Sequence, residues 1–325
     1  MKILFRVDCN NKVGSGHLSR CYTLYKALKS KGHKIYFLTN NFNKNFFNKK
    51  IGNLINYNSV SFSQNKDKNN TLKIIKNKKI DTLILDHYFI NKNWCYFVKK
   101  NVKNFVIIDD DFKYFFNSDL YINFTTTKKY KSFPNKLIGL KYSIINPDYI
   151  NKKSKNIKYD LFINFGTGRY SEYLKIVLYL LKDLRIIKNV LLVGNYKNIL
   201  KDNIEKLNFK VNLISKFEKL DNYIKKSKIC IGAGGMNLLE RISLGKINLV
   251  FSCANHQVAL CKYLNNKNYI NYFGKIESLR KKRIKEYLKK KIILGLENSK
   301  NDKKLIDGRG VNRIVEKIEN LNLKK

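Results

Sequence analysis

The sequence predicts an α/β protein of two Rossmann-like domains facing across a cleft. Continuous apolar strands without polar alternation belong in a parallel sheet buried on both faces. They alternate with helical patterns, as βαβ units require, and a strand, glycine turn and helix occur near residue 14 and again near residue 166. A chain of 325 residues exceeds one ordinary core and fits two domains of average size. The expected division is 1–150 and 157–325.

Residues 3–28 open the first domain with a buried strand (Ile3, Leu4, Phe5, Val7), the turn Val13-Gly14-Ser15-Gly16-His17 and a helix carrying Leu18, Cys21, Leu24 and Leu28 on one stripe. Gly14 and Gly16 lack a Cβ, so backbone N–H groups can approach a ligand closely. The helix starting there aims its positive dipole end at the same place, which suits an anion. His17 either caps that helix or exchanges a proton at its mouth. The turn is no dinucleotide fingerprint, because it lacks the third glycine of G-x-G-x-x-G and the acidic residue after a second strand.

Gly32 ends the first helix, and residues 34–39 form the next strand. Residues 40–70 are polar, with loops and a short strand expected near Val60. A helix over 71–79 precedes a strand over 81–85 that ends in Asp86-His87-Tyr88. A helix over 94–100 precedes a strand over 105–108 that ends in Asp109-Asp110-Asp111, and 120–124 is a further strand. Ligands collect at the carboxyl ends of such strands, which places the 14–17 turn and both polar clusters on one rim. Asp86-His87-Tyr88 is either a capped turn with two packed aromatics or part of a site. The Asp109–Asp111 run is expected to be solvated, since no spaced carboxylate accompanies it as a metal partner. Pro134 and Pro147 flank the apolar stretch 137–142, and residues 151–156, with no apolar side chain, form the expected linker.

The second domain repeats the plan with a strand over 159–165, the turn Gly166-Thr167-Gly168, a helix over 171–184 and strands over 190–193 and 211–213. A strand over 229–231 runs into Gly232-Ala233-Gly234-Gly235, followed by a helix with Leu238, Leu239, Ile242 and Leu244. A strand over 247–251 ends near Asn255-His256-Gln257, a helix reaches about Leu264, and charged helices follow from Glu277. The glycines allow a helix start at Met236 to face a diphosphate, with Glu240 accepting from ribose hydroxyls. The alternative is close helix-to-strand packing with Glu240 in solvent.

The formal net charge is +42, which alone would point to nucleic acid or an anionic membrane. The basic residues are nearly all Lys and evenly spread, Arg is scarce, and no nucleic-acid-binding motif is present, so no nucleic-acid partner is expected. The positive field still favours anionic small substrates. Six cysteines with no C-x-x-C pair read as apolar fillers in a reducing cytosol. With no leader pattern and no apolar run of membrane length, a cytoplasmic protein without stable membrane insertion is expected.

Arg6-Val7-Asp8-Cys9 followed by Gly14-Ser15-Gly16-His17-Leu18-Ser19-Arg20-Cys21 resembles the opening of the UDP-sugar hydrolase family of pseudaminic acid biosynthesis, which shows R-x-D and then G-x-G-H-x-x-R at this spacing. Asp86-His87-Tyr88, the 232–235 turn with Glu240, Asn255-His256-Gln257 and Asp307-Gly308-Arg309-Gly310 extend the resemblance over nearly the full length. The resemblance implies the GT-B fold and inverting, metal-independent hydrolysis of a UDP-linked 2,4-diacetamido-2,4,6-trideoxy hexose. It implies His17 as catalytic base, Tyr88 facing the sugar and Asp86 orienting the base. Gly14, Gly16, Arg20, Gln257 and either Asn255 or His256 would bind substrate; Gly166, Gly232, Gly234, Gly235, Met236 and Glu240 would bind the nucleotide. No cofactor and a monomer are expected. Gly166-Thr167-Gly168-Arg169 replaces the family's G-G-T-D, and Tyr142-Ser143-Ile144-Ile145-Asn146 lacks its arginine, which leaves the sugar open. The other reading keeps the fold and passes the sugar to a glycan or lipid acceptor, with residues 42–47 as the candidate apolar patch.

Overall fold

The computed structural model describes residues 1–10, 13, 15–43, 51–59, 61–110, 118–126, 135–150, 156–166, 170–194, 196, 207–215, 220–297 and 305–323. Gly14, Val60, Asp111, Pro134, Thr167, Gly168 and Arg169 lie outside the described residues. So do most of the 151–156 linker and all but the first two residues of the 42–47 patch. The chain divides into two compact units, one of residues 1–146 and 308–325, the other of residues 147–307.

Unit 1 is built on a parallel sheet of β1 (Lys2–Val7), β2 (Lys34–Asn40), β3 (Leu54–Tyr57), β4 (Thr82–Asp86), β5 (Asn104–Ile108), β6 (Leu120–Asn123) and β7 (Lys136–Ile138), in the order β3-β2-β1-β4-β5-β6-β7. In β1 every residue after Lys2 is buried, as a strand covered on both faces requires. Phe5 stands in register with Phe37 on one side and Ile84 on the other, and Val7 pairs with Asp86. The helices are α1 (Gly16–Ser30), α2 (Gln64–Lys78) and α3 (Lys92–Lys99). α1 buries Leu18, Cys21, Leu24 and Leu28, the stripe that its spacing predicts. α2 starts seven residues before the expected 71, at the Ser63 cap, whose hydroxyl accepts from the Lys66 N–H at 3.4 Å. Leu4, Leu83, Trp94, Phe105 and Tyr121 belong to one core cluster.

Unit 2 carries β8 (Tyr159–Asn164), β9 (Asn189–Val193), β10 (Lys210–Ile214), β11 (Ser227–Ala233), β12 (Ile247–Ser252) and β13 (Asn271–Lys275), again parallel, in the order β10-β9-β8-β11-β12-β13. Its helices are α4 (Ser171–Lys182), α5 (Leu220–Lys225), α6 (Met236–Ser243), α7 (Asn255–Asn266) and α8 (Lys282–Glu297). Gly295 of α8 lies so close to Ile229 and Ile247 that an added Cβ would stand 2.8 Å from Ile229, so the helix seats tightly on the sheet. Leu161, Leu174, Ile231, Phe251 and Phe273 lie in this unit's core.

The structure corrects the expected division at both ends. The second unit begins at Pro147, and the closing helix α9 (Gly310–Leu323) belongs to unit 1 rather than to a 157–325 domain. Its apolar face packs on α1 and β5, Asn322 accepts from Asn104 at 2.8 Å, and Arg313 donates to the Lys141 carbonyl at 2.9 Å. Gly308 adopts φ +75°, and an added Cβ on Gly310 would run into the backbone of Ser143. Both glycines therefore answer to structure. The short strand expected near Val60 is β3, and the stretch between the prolines supplies β7. β13 had no counterpart among the expected elements. No described helix is long and apolar enough to cross a membrane.

Candidate functional site

The strand order of unit 1 reverses at β1, with β2 on one side and β4 on the other. In open α/β sheets ligands bind outside the carboxyl ends of the strands at such a reversal. Asp8 follows β1, while Asp86 ends β4 and is followed by His87 and Tyr88. α1 begins at Gly16 with no side-chain cap from Ser15 and no acidic residue in its first turn. An added Cβ on Gly16 would meet nothing within 4 Å, so that position is open space rather than a sterically forced turn.

His17, one residue into α1, is buried with 7% of its side chain exposed. Its Nδ1 lies 2.5 Å from Asp86 Oδ1. Arg20 Nη2 stands 3.2 Å from the same nitrogen, and the carboxylate favours the tautomer with its proton on Nδ1, in which Nε2 is an acceptor. Nε2 has no partner among the described residues and is not sealed from solvent. The imidazole is thus held by one nitrogen and presents the other.

Arg20 lies one turn further along α1. It is 3% exposed and donates from Nε and Nη2 to the two oxygens of Asp86, both at 2.6 Å, and from Nη1 to both oxygens of Asp110 at 3.0 Å. Burial would raise the Asp86 pKa, but Arg20 and His17 outweigh it and hold the carboxyl well below the usual range. Arg20 was expected to bind substrate. Its fork pairs with the two carboxylates, which holds Asp86 beside His17.

Asp109 and Asp110 correct the expectation of solvated strand-end carboxylates. Asp110 takes the Arg20 bonds, the Tyr88 hydroxyl at 3.3 Å and the Thr125 hydroxyl at 3.3 Å; Asp109 is 7% exposed and accepts from Tyr121 at 3.0 Å. Tyr88 stands edge-on to His17 with ring centroids 4.2 Å apart and an interplanar angle of 86°. Burial, with Asp110 next, raises the Tyr88 phenol well above its ordinary value, so the hydroxyl keeps its proton at neutral pH. The strand-end rule placed Asp110 on the rim, but its pairing with Arg20 and Tyr88 was not foreseen. Register accounts for it: Leu85 pairs with Ile107, which sets the residues after β5 beside those after β4.

His87 is not part of this group. Its Nδ1 accepts from the Phe89 N–H at 3.1 Å, so the proton is on Nε2, which donates to Asp8 at 2.8 Å. Burial, then Arg6, lowers its pKa, and the ring is neutral at pH 7. Asp8 also binds Arg6 Nη1 at 2.5 Å, and Arg6 forks onto Asp67, which takes the Trp94 indole N–H at 3.0 Å. Arg6 and Asp8 of the R-x-D motif therefore tie β1 to α2 and to the residue after β4.

Unit 2 has its own reversal point between β8 and β11. Gly166 follows β8 at φ +87°, its N–H bonded to Asn164 Oδ1 at 2.6 Å. An added Cβ on Gly232 would collide with the Asn164 carbonyl, and one on Gly234 with Cys261 Sγ. These two glycines answer to packing. Gly235 begins α6 without a side-chain cap, and no acidic residue occupies the first turn, which starts at Met236. Glu240 is half-buried and accepts from Asn237 Nδ2 at 2.8 Å. Gln257 reaches the same turn: its Oε1 accepts from the Cys253 N–H at 2.9 Å, and its Nε2 lies 3.4 Å from where a Gly235 Cβ would stand. Asn255 and His256 open α7 and are exposed. The structure thus gathers His17, Asp86, Arg20 and Tyr88 in unit 1, and Gly232, Gly234, Gly235, Met236, Glu240 and Gln257 in unit 2. A groove of about 430 Å³ between α4 and α8, lined by Lys175, Tyr179 and Lys289 among others, touches none of these residues.

No protein-family model matches the sequence, and no curated protein matches it. Among solved structures the chain is similar to MurG of Acinetobacter baumannii, 12% identical over 98% of this chain and 100% of that one, with a TM-score of 0.66. It is similar to the S. aureus MnaA–UDP structure, 15% identical over 99% and 97%, TM-score 0.65. The UDP-GlcNAc 2-epimerase of Methanocaldococcus jannaschii is 14% identical over 98% and 100%, TM-score 0.60. The fold is the two-unit α/β arrangement of the GT-B proteins.

Proposed function

We propose that the protein acts on a UDP-sugar, and that it is a hydrolase releasing UDP and a free 2,4-diacetamido-2,4,6-trideoxy hexose. The observation that carries this is the His17–Asp86 pair, in which the carboxylate holds the imidazole at Nδ1 and leaves Nε2 without a partner among the described residues. That is the arrangement of a general base. Water gives its proton to Nε2 as its oxygen bonds to the anomeric carbon; the bond from that carbon to the β-phosphate oxygen breaks, and UDP departs with the electron pair. Attack opposite the leaving group inverts the anomeric centre. The uncapped start of α6 supports the nucleotide assignment, since backbone N–H groups and the helix dipole stabilise charge developing on a diphosphate. Of the three similar structures named above, one is a UDP complex and one a UDP-GlcNAc 2-epimerase, which supports the choice of nucleotide.

The test is to incubate the protein with a panel of UDP-linked amino sugars, with and without glycan and lipid acceptors, following UDP release and the anomer first formed. Acceptor-independent release of the inverted sugar is expected. Release that requires an acceptor makes the protein a glycosyltransferase and overturns hydrolysis.

A further inference from the structure

Arg241, in α6, is fully buried and among the largest sealed side chains of the protein. Each of the other two deeply buried arginines, Arg6 and Arg20, is locked between two aspartates. Arg241 has no ion pair among the described residues. Nη2 donates to the Ala233 carbonyl at 2.7 Å and Nε to the Asn237 carbonyl at 3.3 Å, while Nη1 has no partner. Nη1 stands under the glycine turn, 3.1 Å from where a Cβ on Gly232 would project. A buried cation without a counter-charge is unfavourable, and two carbonyl dipoles offset only part of that cost. The same turn leads into the helix start that has neither a side-chain cap nor an acidic residue. Two independent sources of uncompensated positive potential therefore meet at residues 232–236.

We propose that Arg241 is a positioning residue whose guanidinium is the counter-charge of the diphosphate seated at this turn. It rests on the nucleotide-binding assignment made for unit 2. Arg241 acts through the backbone: its bonds to the Ala233 and Asn237 carbonyls hold the turn in the conformation that exposes its N–H groups, and its unpaired charge becomes balanced when an anion arrives. The empty site is electrostatically incomplete, and a diphosphate completes it. The uridine ring gains nothing from this charge, so the contribution belongs to the phosphates alone.

The test compares wild type with Arg241→Lys, Arg241→Gln and Arg241→Met by calorimetric titration with UDP, uridine and inorganic pyrophosphate, each variant first shown to be folded by its thermal transition. UDP and pyrophosphate are expected to bind roughly tenfold or more weakly to the Gln and Met variants, as for loss of a charge-assisted interaction. Uridine affinity should stay unchanged, and the Lys variant should keep most of the UDP affinity. A merely structural Arg241 would instead lower uridine and UDP affinity together, and that result overturns the proposal. So does a folded Gln or Met variant that binds UDP as wild type does, or, where neither neutral variant folds, a folded Lys variant that loses UDP as completely as it loses pyrophosphate. Pyrophosphate binding that depends on Arg241 without any UDP binding keeps the anion site and removes the uridine assignment. Wild type binding none of the three overturns both.

Discussion

Asp86 and His17 stand 2.5 Å apart, carboxylate oxygen to Nδ1, while the same carboxylate takes two bonds from Arg20 at 2.6 Å. The imidazole is held from behind by a group that is itself held, so its free nitrogen has a fixed direction. A base positioned in this way is worth more than its basicity alone, because no reorganisation is needed when water docks.

His17→Asn keeps a polar side chain near Asp86 and removes the proton acceptor. Turnover of the UDP-sugar should fall by about 10² to 10⁴, with the UDP dissociation constant within about threefold of wild type, since the proposed nucleotide site lies in unit 2. Turnover above a tenth of wild type would remove His17 from the chemistry.

Tyr88 packs its ring edge on His17 and donates a hydrogen bond from its hydroxyl to Asp110. Its phenol is pushed up by burial and by Asp110, so it is no proton donor at neutral pH. Tyr88→Phe should therefore reduce turnover less than about tenfold, the effect of one lost neighbour hydrogen bond, whereas Tyr88→Ala should cost more by loosening His17. A hundredfold loss in the Phe variant would mean that the hydroxyl touches the reacting atoms.

His87 is neutral in the fold because burial and Arg6 lower its pKa. The unfolded chain takes up a proton near pH 6.5 and the folded one does not, so the stabilisation is present above that pH and drains as pH falls toward the depressed folded value. Urea midpoints measured from pH 8 to pH 5 should decline less steeply for His87→Gln, which keeps a donor toward Asp8, than for wild type. Parallel curves would show that some other group carries the dependence.

Gly232→Ala places a methyl against the Asn164 carbonyl, where backbone cannot yield as a side chain can. Destabilisation of about 1–3 kcal/mol or more is expected by urea unfolding, as for overpacking elsewhere. An unaffected midpoint would falsify the packing role assigned to this glycine.

The layered α/β architecture was legible because buried parallel strands are written as unbroken apolar runs, as in residues 3–5 and 83–85. β13 was not, because Asn271, Tyr272 and Gly274 dilute its apolar content and it pairs with β12 alone. His17, Asp86 and Tyr88 were placed on one rim by the rule that ligands meet strand ends, and the structure brings them into contact. The pairing of Arg20 was not legible: its partners Asp86 and Asp110 lie 66 and 90 residues away, and no local spacing encodes it. Arg241 carried no signal, since the missing ion pair of a buried cation is visible only in the fold.

The return of α9 to unit 1 sets an order on biosynthesis. Residues 147–307 leave the ribosome as one uninterrupted block, so unit 2 holds its whole complement of strands while unit 1 still lacks the helix that covers α1 and β5. Until residues 308–323 emerge and dock, the face of α1 and β5 that they cover stays open. Removing this segment injures the half that carries His17, although the two are separated by almost the full length of the gene.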